Sequence, residues 1–71
     1  MALTNNRGLV RYSQGDFDSA LVDFDRSITL DSSGPEVFNN RANARVEKKD
    51  FVGALADFDR ALQIDPRLKV V

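Results

Sequence analysis

The chain has 71 residues, enough for one small domain near the lower limit of what a single hydrophobic core can stabilise. Its 42% apolar and 30% charged residues are the composition of a folded soluble chain, and ten basic against eleven acidic residues offer no surface for nucleic acid or a membrane. Cysteine and histidine are both absent, which excludes disulfides, thiolate or imidazole metal sites and the usual general base.

In chain order, residues 1–14 contain no proline and place Leu3 and Val10 two turns apart on one face, which predicts a first helix. Gly15 and Asp16 end it: glycine suits the left-handed C-terminal position, and aspartate can cap the helix that follows. From Phe17 the apolar positions recur as Phe17, Ala20, Leu21, Phe24 and Ile28, a helical stripe, with Asp16 and Asp18 at its electropositive N-terminal end. The run Asp31-Ser32-Ser33-Gly34-Pro35 is the strongest break, with Ser33 or Gly34 as cap and Pro35 opening a third helix that reaches about Lys48. After Lys49-Asp50 the stripe returns as Phe51, Ala54, Leu55, Phe58 and Leu62, and Pro66 stops this fourth helix. No run is apolar enough to span a membrane and no signal-peptide pattern opens the chain, so a cytoplasmic location is expected.

The fourth helix repeats the second. Shifting the sequence by 34 residues pairs Asp16-Phe17 with Asp50-Phe51, Ala20-Leu21 with Ala54-Leu55, and Asp23-Phe24-Asp25-Arg26 with Asp57-Phe58-Asp59-Arg60. Asn5-Asn6-Arg7 pairs with Asn39-Asn40-Arg41, Arg11 with Arg45, and Asp31 with Asp65. Of the 37 residue pairs the shift allows, 14 are identical, several times what chance gives, and a fixed period of this size signals stacked supersecondary units.

These residues resemble the tetratricopeptide repeat, a helical hairpin of about 34 residues. The small residue of the first helix is filled by Gly8 and Ala42; the small residue and aromatic of the second by Ala20 with Phe24 and Ala54 with Phe58. The terminal proline is Pro66, replaced by Ser32 in the first unit, and the Asn-Arg-Gly form of the first helix resembles a known subtype. The resemblance implies an all-α fold of two tandem helix-turn-helix hairpins, four antiparallel helices forming a right-handed α-solenoid fragment. The repeats would cover 1–34 and 35–68, leaving 69–71 as a tail.

The departures are informative. Arg7, Arg11, Arg41 and Arg45 stand where the family prefers leucine and tyrosine, and a half-buried arginine needs a partner. The expected ion pairs are Arg7 with Asp23 and Arg41 with Asp57, while Arg26 and Arg60 are expected to bridge to the remaining aspartates. The resemblance further implies a non-enzymatic module that binds a peptide or partner protein in a concave groove of the first helices. Asn5, Leu9, Tyr12, Asn39, Asn40, Asn43 and Glu47 would line it, with Ser13 and Val46 beside them. The family members that clamp a C-terminal carboxylate of heat-shock chaperones want lysine at Asn5 and asparagine at Leu9, so that activity is not expected. No nucleophile–base pair, metal cluster or phosphate loop is present, so neither an enzyme nor a cofactor is expected.

Two repeats without a polar capping helix leave the flank of the fourth helix open at Leu62, and at Ala61. The alternative function is therefore a stacking unit whose main partner is another copy or neighbouring repeats, through Leu62, Leu68 and Val70 or by exchange of hairpins at residues 31–35.

Overall fold

In the computed structural model, residues 2–30 and 34–67 are described, with side chains from residue 6 onward. Four α-helices follow one another: α1 (Ala2–Ser13), α2 (Phe17–Leu30), α3 (Pro35–Glu47) and α4 (Phe51–Ile64). α1 packs along α2 and α3 along α4 as two hairpins, and α2 packs on α3 to join them, while α1 touches α3 only lightly. Among the described residues α4 meets no helix except α3, so its far flank is open. The radius of gyration, 10.9 Å, is close to the roughly 11 Å of a compact chain of this length, so the hairpins form one body.

The two hairpin turns share one backbone solution. Asp16 N–H donates to Arg11 C=O at 2.9 Å and Gly15 N–H to Tyr12 C=O at 3.0 Å; Asp50 N–H donates to Arg45 C=O at 2.8 Å and Lys49 N–H to Val46 C=O at 2.9 Å. This paired closure of a helix C-terminus requires a left-handed residue, Gly15 at φ 81° in the first turn and Lys49 at φ 65° in the second. A side chain in that region costs about 1 kcal/mol or more, so the second turn carries strain the first avoids. Each turn then hands over to a capping aspartate: Asp16 Oδ1 accepts from Ser19 N–H at 3.3 Å, and Asp50 Oδ1 from Gly53 N–H at 3.1 Å. At the start of α3 the cap is Gly34 with Pro35 in the first turn and no side-chain bond; Ser33, the other candidate, lies outside the described residues.

The core lies between the hairpins. Ala20 and Phe24 of α2, Val37, Phe38 and Ala44 of α3, and Ala61 of α4 are buried together, with Tyr12, Leu21, Ile28 and Ile64 packed around them. Phe24 is the largest fully buried side chain, and it dictates Gly8: a Cβ there would stand 2.6 Å from the Phe24 ring. Helix α1 therefore comes closer to α2 than any side chain would allow. Ala61 corrects an expectation, being buried against α3 and not on the open flank. Phe58 is also only half-buried, unlike its counterpart Phe24.

Candidate partner-binding face

Positions 5, 9, 12 and 13 of α1 fall on one helical stripe, and 39, 43, 46 and 47 are the same stripe on α3, one repeat later. The side chains of Leu9, Asn43, Val46 and Glu47 are exposed, and Asn39 and Asn40 are half-buried. Asn39 Oδ1 is shut off from solvent without a hydrogen bond, while Asn40 makes a contact of its own. Tyr12 is half-buried against the core, its ring edge-on to Phe17 with centroids 5.3 Å apart at 69°, so only part of it is left to face a partner. The Ser13 hydroxyl donates back to Val10 C=O at 2.8 Å. The side chain of Asn5 lies outside the described ones, as do Leu68 and Val70. What this face offers is neutral amides, short apolar groups and one carboxylate, able to donate to and accept from a peptide.

The arginines point the other way, into the hairpins. Arg7 donates through Nε and Nη2 to Asp23 Oδ1 at 3.2 and 2.9 Å, and Arg11 Nε sits 3.2 Å from Asp23 Oδ2. That last contact is an ion pair without hydrogen-bond alignment, since Asp23 Oδ2 has no hydrogen-bond donor. In the second hairpin the clamp is complete. Arg41 donates through Nε to Asp57 Oδ2 at 3.0 Å and through Nη2 to Asp57 Oδ1 at 2.7 Å, and Arg45 Nη1 donates to Asp57 Oδ2 at 2.9 Å. Arg45 also donates to Gly53 C=O at 3.3 Å, and its stem reaches so close that a Cβ on Gly53 would stand 3.1 Å from Arg45 Cδ. Both aspartates are buried, so each negative charge is carried into the protein by two arginines from the facing helix.

Arg41 does one thing more: its Nη1 donates to Asp25 Oδ1 of the preceding hairpin at 2.7 Å. The bond to Asp57 is the main cause that holds its guanidinium above the usual arginine range, burial opposes the rise, and the bond to Asp25 adds to it. A raised cation stabilises the fold at every pH below its unfolded value and loses that contribution only as pH climbs through the folded one. The Arg41 side of the clamp therefore persists through neutral and moderately alkaline pH. A second bridge between hairpins joins Lys48 to Asp18 at 2.9 Å.

One expectation is corrected here. Arg26 and Arg60 hold no carboxylate among the described residues; Arg60 instead reaches Gln63 at 3.4 Å and lies 6.0 Å from the Phe38 ring, which Arg41 also approaches at 5.7 Å. Asp16 and Asp50 cap helices, and Asp23, Asp25 and Asp57 are held by the α1 and α3 arginines; among the described residues none gather into a metal-binding group. Internal pairing was expected of Arg11 and Arg45, but not that Asp23 and Asp57 would be their partners as second members of each clamp. The signal was available: Arg11 follows Arg7, and Arg45 follows Arg41, by four residues, one turn along the same helix face.

Comparison with known proteins gives two findings. Residues 35–68 match the family model described as tetratricopeptide repeat, and residues 8–49 match a second one described as TPR repeat. Among curated proteins none matches the chain.

Proposed function

Since the chain belongs to the tetratricopeptide repeat family, whose repeats are generally protein–protein interaction modules, we propose that it binds a peptide or partner protein in the concave groove lined by the exposed stripe of α1 and α3. The supporting observation is the division of labour between the two sides of these helices. The arginines are spent inside the hairpins on Asp23 and Asp57, while Leu9, Asn43, Val46 and Glu47 remain exposed at matching positions. A face stripped of its basic residues suits a neutral or weakly basic peptide better than RNA or an acidic tail. The activity is one of binding, without chemistry on the ligand. Among the described residues no helix is long and apolar enough to cross a membrane, and the absence of cysteine fits a reducing compartment such as the cytoplasm.

Selection of a displayed random peptide library on the isolated chain tests this reading. Peptides recovered should lose about tenfold or more in affinity when Leu9 and Asn43 are both changed to alanine, as expected for central contacts. They should bind Val52→Lys on α4 like the wild type. Equal binding by the Leu9/Asn43 variant would place the site elsewhere.

A second reading is self-association, favoured by the apolar side chains Phe51, Val52, Leu55 and Leu62 left exposed on α4. Alanine at Asn5, Asn39 and Asn43 separates the two, since it should abolish peptide binding and leave assembly intact.

A further inference from the structure

The contact between the two hairpins is a template for a contact that the chain does not make with itself. Across α2 and α3, Arg41 is shared: Nε and Nη2 hold Asp57 of its own hairpin, and Nη1 holds Asp25 of the one before. With all three nitrogens engaged, its side chain is 17% exposed. The acidic half of this latch recurs one period later as Asp59 on α4, and the basic half one period earlier as Arg7 on α1. Asp59 is exposed and makes no ion pair among the described residues. Arg7 gives Nε and Nη2 to Asp23, leaves Nη1 without a bond among the described residues, and is 52% exposed. The two ends of the stack thus carry complementary halves of the bond at its centre.

The register fits as well. Asp25 and Arg41 are 16 residues apart, so the partner of Asp59 belongs at position 59 + 16 = 75 of a continued array. Two periods of 34 make 68, and 75 − 68 = 7, which is Arg7 of a following copy. The apolar surroundings of the latch show the same unfilled pattern. Leu21, Phe24 and Ile28 of α2 are buried or half-buried where α3 lies beside them; their counterparts on α4 are Leu55, 63% exposed, Phe58, half-buried, and Leu62, 36% exposed. On the other end, Val10 is exposed where its counterpart Ala44 is fully buried.

We infer that copies of this chain stack head to tail, with α4 of one copy on α1 of the next and Asp59 accepting a hydrogen bond from Nη1 of the next copy's Arg7. This rests on the self-association reading above and gives it a geometry. Such a contact is heterologous, not the self-complementary contact of a two-fold dimer, so assembly grows end to end and does not stop at a dimer. It is weaker than the internal contact by one bridge, because Val52 and Gln14 stand where Asp18 and Lys48 pair. Added salt weakens it further, since the latch is built from charges near the surface.

Sedimentation velocity on the full chain, over about two decades of concentration, tests the inference. The weight-average mass should rise continuously past that of a dimer. Asp59→Lys should lower the association constant about tenfold or more with its helical circular dichroism unchanged, because a charge-assisted bond becomes a like-charge contact. Glu47→Lys, on the candidate binding face, should assemble like the wild type. A wild-type chain that stays monomeric overturns self-association and this geometry together. A mass that levels off at a dimer, as exchanged hairpins would give, or an Asp59→Lys chain that assembles normally, overturns the head-to-tail latch and leaves self-association standing.

Discussion

Phe24 and Phe58 hold the same place in their hairpins, yet Phe24 is fully buried and Phe58 keeps part of its ring in solvent. The buried aspartates show the opposite preference: Asp57 accepts three hydrogen bonds from Arg41 and Arg45, while Asp23 accepts two and leaves Oδ2 unbonded. Hairpin one has the better apolar packing and hairpin two the better polar clamp. The reason is position in the stack. A second helix is covered by the hairpin that follows it, and a first helix has its arginine steadied by the hairpin that precedes it. Phe24 has a follower, and Arg41 has a predecessor in Asp25. Among the described residues no following hairpin covers Phe58 and no preceding one steadies Arg7, which is the pattern nearest-neighbour coupling gives.

Truncation of the two aromatics should separate the hairpins most. Phe24→Ala removes a fully buried ring, and about 3–5 kcal/mol is expected, against about 1–2 kcal/mol for Phe58→Ala. A chain of this length has roughly 4–10 kcal/mol in total, so urea unfolding should show the first variant barely folded and the second only weakened. Similar losses at both positions would remove the asymmetry.

Breaking the clamps should reverse the order. Asp57→Ala strands two partly buried guanidinium groups and should cost about 3 kcal/mol, whereas Asp23→Ala, whose arginines already face solvent, should cost about 1–2 kcal/mol. Double-mutant cycles sharpen the point: Arg41→Ala with Asp57→Ala should be strongly non-additive, and Arg7→Ala with Asp23→Ala less so. Additive losses in both cycles would mean that the pairs are surface contacts of little weight.

The smallest expected effect concerns the turns. Lys49→Gly relieves a left-handed residue and should stabilise by about 0.5–1 kcal/mol, making the second turn the equal of the first. Gly15→Lys should lose a similar amount, read from the same unfolding curves.

The hairpins themselves were legible because local chemistry sets them. Gly15, Asp16, Pro35 and Pro66 punctuate the helices, and the period puts Arg7 opposite Asp23 as surely as Arg41 opposite Asp57. What could not be read was anything that depends on which neighbour is present. Two copies of one motif predict equal wedges, so the half-exposure of Phe58 was hidden, and so was the burial of Ala61 beneath α3. The shared role of Arg41 was also missed, because pairs were sought only between the two helices of one hairpin, although Asp25 stands 16 residues before Arg41, the same spacing that separates Arg7 from Asp23. Of the candidate face, the stripe and its exposed members followed from the period, but the engagement of Tyr12 with Phe17 is set by the hairpin turn.

The most direct test of this account is to replace residues 69–71 with a second copy of residues 35–68, which keeps the period and puts the copied Arg41 at position 75, and to measure urea unfolding at low protein concentration. If α4 is an unfilled stacking surface, its Leu55, Phe58 and Leu62 become covered, Asp59 gains an arginine, and both the midpoint and the m-value rise above those of the wild type. An appended hairpin that unfolds separately, with the midpoint of the original chain unchanged, would contradict it.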